Sequence, residues 1–97
     1  MIYHVITNTD WLNALENGYY EAASLATEGF IHTSNENQVK DVLDRYYLNQ
    51  TDLLLLYINE DKLTSVLKYE VAPSTNEVFP HIYGKLNLDA VEKTLKI

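Results

Sequence analysis

The chain has no cysteine, a single arginine, and no continuous apolar run longer than the six residues Leu53-Leu54-Leu55-Leu56-Tyr57-Ile58. Each absence narrows the reading. Without cysteine there is no disulfide framework, no thiolate metal site and no cysteine nucleophile. A six-residue run is far short of a membrane span. The start Met1-Ile2-Tyr3-His4 has neither the basic residues nor the following apolar stretch of a secretory signal, so a soluble cytoplasmic protein is expected. Arg45 is the only arginine, and the six lysines are scattered between Lys40 and Lys96. Polynucleotide binding depends on clustered basic residues, so nucleic acid is not an expected partner, and neither is a membrane.

What remains is enough for one folded domain over residues 1–97. Apolar residues make up 46% of the chain, which supports a core and argues against disorder. Fourteen acidic residues against seven basic give a net charge of −7. Such a field disfavours polyanions, although local backbone amides can still bind a small anion. There is no internal repeat and no low-complexity segment.

Residues 2–7 read as a strand, with β-branched residues around Tyr3 and His4. Asn8, Thr9 and Asp10 are cap candidates for a helix at roughly residues 9–17, and Gly18 stops it. Residues 19–25 leave helical turn and irregular link both open. Residues 30–33 form a short strand. Asn35 and Gln38 have capping-box spacing before a helix of about three turns carrying Val39, Val42, Leu43, Tyr46 and Tyr47 on one side. Residues 52–58 are too continuously apolar for an edge strand and predict a central strand covered on both faces. Residues 65–71 form the next strand. Residues 78–83 are extended but interrupted by Pro80, which lacks a ladder donor. A helical turn within residues 88–93 and a last strand at 94–97 complete the chain. This order fits an α+β fold in which two main helices pack on a small, largely antiparallel sheet.

All three histidines lie in short apolar or aromatic segments that read as strands or strand ends: His4, His32 in Gly29-Phe30-Ile31-His32-Thr33-Ser34, and His81 in Val78-Phe79-Pro80-His81-Ile82-Tyr83-Gly84. Histidine donates, accepts or binds metal near neutral pH, so gathering all three would make a site for a small molecule. After His32, Thr33 and Ser34 present polar side chains ahead of a helix N-terminus suited to phosphate or carboxylate. The alternative is that Ser34 only caps that helix and His32 only satisfies a carbonyl. Around His81, Tyr83 and its aromatic neighbours suit stacking on a base or nicotinamide-like ring, or a packed aromatic turn. Glu70, near a strand end, is a candidate to orient a histidine or to stabilise an oxocarbenium-like transition state. Its alternative is a solvated strand carboxylate. Glu28 is a rival to Glu70, and Gln38 is a candidate pocket residue as well as a cap. Three imidazoles with one open position would also suit a catalytic metal, but no H-x-H or H-x-x-x-H pair is present and no metal ligand is assigned.

Taken together, Ile2-Tyr3-His4-Val5, Trp11, Gly18-Tyr19, the Glu28–Ser34 segment with Gln38, Leu53 to Ile58, Tyr69-Glu70 and Phe79 to Gly84 resemble a small bacterial family known only as a domain of unknown function, DUF952. The resemblance covers nearly the whole chain. It implies a fold like that of the ADP-ribosyltransferases, a compact split sheet with helices whose cleft holds NAD. By that likeness His4 takes the position of a first-strand histidine that contacts the NAD ribose, and Glu70 that of the later-strand glutamate assisting transfer. His32 falls at or near a second-strand position where those enzymes usually have tyrosine, a departure from ordinary protein ADP-ribosylation. Histidine placement and the resemblance together point to NAD, ADP-ribose or a related nucleotide as ligand or substrate, with His4, His32, Glu70 and His81 as expected catalytic residues and Thr33, Ser34, Gln38 and Tyr83 as expected ligand contacts. A non-catalytic module binding a metabolite or, through Tyr46, Tyr47, Tyr57 and Tyr83, a protein is the alternative, and a metal-dependent hydrolase a third.

Overall fold

Side-chain alternation along the strands sorts this chain into two cores and one open face. In the computed structural model, which describes residues 1–97, the chain runs β1 (Ile2–Thr7), α1 (Asn8–Asn17), β2 (Tyr19–Tyr20), α2 (Ser24–Thr27), β3 (Ile31–His32), α3 (Val39–Tyr46), β4 (Leu53–Ile58), β5 (Val66–Val71), β6 (Val78–Tyr83), β7 (Leu86–Asn87) and β8 (Val91–Lys96). Single 3-10 turns lie at Glu36–Gln38, Glu60–Lys62 and Leu88–Ala90. The strands form sheets β1-β4-β8 and β3-β6-β5 and a small pair β2-β7, and every pairing is antiparallel. The architecture is α+β. No helix is long and apolar enough to cross a membrane.

β4 is the central strand of its sheet and is covered on both faces, which accounts for its unbroken apolar run. Its even residues Leu56 and Ile58 join Ile2 and Ile6 of β1, Ala14 of α1, and Ile31 and Ile82 of the other sheet in the larger core. Its odd residues Leu53 and Leu55 pack with Tyr3 and Val5 beneath Val39 and Leu43 of α3. The two longer helices therefore cover opposite faces of β1-β4-β8.

Main-chain pairing between the two three-stranded sheets is confined to Tyr3 and Ser34, which exchange hydrogen bonds of 2.8 Å in both directions. Pro80 explains where β3 leaves β6. β6 runs through Pro80 without a break, contrary to the interruption expected from sequence, and the residue is fully buried. Its carbonyl faces the end of β3, accepting from the Thr33 N–H at 3.2 Å and from the Thr33 hydroxyl at 2.6 Å. A regular antiparallel pair would return a hydrogen bond from residue 80 to Thr33, and proline has no N–H to give. Pairing of β3 with β6 ends there, and Ser34 crosses to β1. The missing donor lies where the ladder stops, so the strand itself survives.

Other boundaries shift for local reasons. The first helix starts one residue earlier than expected because Thr7, outside the candidate caps, is the N-cap: its hydroxyl accepts from the Asp10 N–H at 3.1 Å. Gly18 ends that helix in the left-handed conformation, as its position suggests. Residues 19–25, left open by the sequence, split between β2 and the start of α2. The last strand begins at Val91 rather than 94, since only Leu88–Ala90 are helical. Gly84, at the exit of β6, has φ +148°, and a Cβ there would meet the Ser65 hydroxyl at 2.6 Å. Gly84→Ala should therefore destabilise the fold by about 1–3 kcal/mol through backbone strain and this collision. Urea denaturation should show a lower midpoint with an unchanged m-value, and Ser65→Ala in the same chain should recover only the steric part.

Candidate functional site

In β3-β6-β5 the residues that do not face the core all point the same way. Pairing of His32 with His81, Lys68 with His81 and Glu70 with Phe79 puts these side chains and Tyr83 on one face, opposite Ile31, Ile82 and Leu67. Phe30, two residues before His32, joins them: its ring stacks on His81 with centroids 3.9 Å apart and planes 21° apart. The face forms one wall of a cleft of about 950 Å³ that also reaches β1 and the tyrosines of α3. His4, His32 and His81 all line it.

Glu70 organises this wall. One of its oxygens accepts from His81 Nδ1 at 2.8 Å and from the Tyr83 hydroxyl. These two hydrogen bonds, Tyr83 first, hold the Glu70 carboxyl below its ordinary pKa, and the same contact pushes the Tyr83 phenol up. A carboxylate only accepts, so Nδ1 of His81 carries the proton and Nε2 of the neutral ring is left with its lone pair. His32 has a parallel arrangement with Glu28, Nε2 to carboxylate at 2.9 Å, but this pair is half-exposed. The two carboxylates weighed against each other from sequence thus serve one histidine each. The His32 and His81 rings stand edge to face at 5.7 Å.

His4 lies at the floor of the cleft, where the sheets separate. Its Nδ1 is 2.6 Å from the His32 carbonyl oxygen and its Nε2 is 3.0 Å from the Tyr20 hydroxyl. The carbonyl can only accept, so Nδ1–H donates to it, and Nε2 accepts from Tyr20. Both ring nitrogens are committed, and burial depresses the imidazole pKa to about 4. His4 is a neutral tie between β1, β3 and β2.

The remaining expected contacts divide. Thr33 and Ser34 line the cleft, but the Thr33 hydroxyl is held by Pro80 and both main-chain amides are used, to Pro80 and Tyr3. Ser34 leads into a 3-10 turn rather than directly into a helix. Gln38 is buried away from the cleft lining: its carboxamide accepts from the Asn35 N–H at 2.9 Å and donates to the Val78 carbonyl at 2.8 Å. No three histidine, aspartate or glutamate side chains stand together as a metal-binding group.

A family model described as a protein of unknown function, DUF952, matches residues 5–94. The chain belongs to the DUF952 family. Its fold is similar to the crystal structure of protein CC0527 from Caulobacter crescentus, with a TM-score of 0.88 and 28% identity over 97% of this chain and 82% of that one. It is also similar to the solution structure of CC0527, with a TM-score of 0.85 and 28% identity over 99% of this chain and 83% of that one. No curated protein matches it.

Two residues of this DUF952 site escape a sequence reading. Phe30 reads only as the start of a short strand, yet its spacing of two from His32 already places both on one strand face. Tyr20 sits in the stretch with no clear pattern, and nothing local marks it as the partner of His4. Chemically, the cleft offers a carboxylate-oriented imidazole with a free Nε2, a second carboxylate–imidazole pair, and aromatic faces.

Two outcomes follow from the hydrogen bonding. The folded chain refuses a proton at His4 that the unfolded chain takes up below pH 6.5, so His4 contributes no penalty above that pH. Between pH 6.5 and about 4 stability should fall as pH falls, by up to about 3 kcal/mol. Urea denaturation at pH 7 and pH 5 should show a smaller loss for His4→Asn than for the parent, and nitrogen NMR should find His4 as the neutral Nδ1–H form at pH 5. In Tyr83→Phe the Glu70 carboxyl should titrate at higher pH than in the parent, read by carbon NMR of its side chain.

Proposed function

We propose that the cleft binds an N-glycoside of ribose, as found in NAD and related nucleotides, and catalyses transfer or hydrolysis at its glycosidic bond. The observation that carries this reading is the Glu70 carboxylate joined to His81 Nδ1–H and Tyr83 O–H on a cleft wall next to the stacked Phe30. The likeness to the ADP-ribosyltransferase fold noted from sequence supports it, with Glu70 at the later-strand glutamate and a sheet that splits beside the first strand.

In this reaction the bond from ribose C1′ to the base nitrogen breaks and its electron pair leaves on the base. Water or an acceptor hydroxyl forms the new bond to C1′, and His81 Nε2 takes its proton. The Glu70 charge stabilises the positive charge that develops on the ribose ring. Tyr83 keeps that carboxylate ionised and in place. His4 contributes by position: it holds the floor of the cleft and has no free nitrogen for the substrate. Thr33 and Ser34 shape the wall beside it.

NAD added at millimolar concentration should shift the ring signals of His32 and His81 in proton–nitrogen NMR and should yield nicotinamide over hours. Glu70→Gln should cut that release by about a hundredfold or more with the fold intact, as loss of a charge-stabilising group does. Unmoved histidine signals with both NAD and ADP-ribose would remove the reading. Binding without turnover in parent and variant alike would leave a non-catalytic ligand module.

A further inference from the structure

Resting on the N-glycosidic reading above, we propose that the cleft receives the phosphate-free end of an N-riboside, with a neutral or cationic base, and keeps phosphate groups outside. Three carboxylates, Asp10, Glu28 and Glu70, line the cleft, and neither lysine nor arginine does. Two cations stand over lining rings without themselves lining the cleft: Lys68, on the exposed strand β5, has its Nζ 4.9 Å from the Tyr83 centroid, and the Arg45 guanidinium is 5.9 Å from the Tyr46 centroid. A phosphate projecting out of the cleft would meet them there.

Backbone amides do not supply the missing positive charge. The sequence suggests an anion site at His32-Thr33-Ser34, but the Thr33 N–H is bonded to Pro80 and the Ser34 N–H to Tyr3. The imidazole at the floor, His4, is kept neutral by burial, and both its ring nitrogens are already hydrogen-bonded. A phosphate drawn into the cleft would lose its hydration and face carboxylates without a lining lysine or arginine to compensate, an expensive exchange in a partly buried site. A neutral or cationic ring loses nothing comparable, and the lining aromatics Phe30, Tyr47 and Phe79 suit it, with cation–π attraction favouring positive charge.

Nicotinamide riboside and its 5′-phosphate differ only in the group at issue. Titrated into the protein at pH 8, above the ordinary imidazole range, and followed by histidine-ring NMR shifts, the riboside should bind about tenfold or more tightly than the phosphate at low salt. Raising the salt should narrow the gap, because like-charge repulsion is screened. Glu28→Gln, which removes one lining carboxylate outside the Glu70–His81 pair, should narrow it as well. Equal or tighter binding of the 5′-phosphate would overturn this inference while leaving the N-glycosidic reading intact. Failure of both compounds to bind would overturn the two together.

Discussion

The arrangement of this molecule depends on one hydrogen bond, from His4 Nδ1–H to the main-chain carbonyl of His32. In a continued antiparallel ladder beyond the Tyr3–Ser34 pair, that carbonyl would be matched with Val5. The imidazole takes it instead, and the two sheets diverge from that point with no buried side-chain polar atom left unpaired. Pro80 acts from the other side by withholding the N–H that would extend β3 against β6. A split sheet is costly only if its separated edges lose their hydrogen bonds, and these two residues resolve that cost in opposite ways: one provides a substitute donor, the other never had one to satisfy.

The split has a direct consequence for chemistry. It opens a cleft bordered by one strand face of β3-β6-β5, where alternation has already separated polar and aromatic residues from the core. The carboxylate-bound imidazoles lie on rigid strands rather than loops, so their mutual geometry is set by ladder spacing. His4, which reads from sequence as an equal member of a histidine trio, has a different task. Two satisfied nitrogens and deep burial make it a structural neutral group, whereas His32 and His81 each bond a carboxylate through one ring nitrogen and keep the other free.

Much of the fold was legible in the chain. The continuous apolar run at Leu53–Ile58 required a strand covered on both faces, and it is one. The caps Gly18 and Asn35–Gln38 marked real boundaries. The misreadings share a cause: the decisive partner is distant in sequence. Pro80 looked like a break because a missing donor is harmful in a central strand, yet its partner strand ends beside it. Thr7 was overlooked as a cap because three good cap residues follow it. Tyr20 could not be linked to His4 because sixteen residues and a helix separate them.

Composition and local pattern by themselves determined the absence of thiol chemistry, the scarcity of basic groups, the single α+β domain, and the segments that carry histidine, glutamate and aromatic side chains. These follow from residue type and from the period-2 and period-3.6 repeats, which act over a few residues. Tertiary structure alone decided which carboxylate serves which imidazole, which histidines keep a free nitrogen, and that Gln38 braces the main chain instead of facing the cleft. Those outcomes depend on strand register and on where two sheets part, and both are set by hydrogen bonds between residues far apart along the chain.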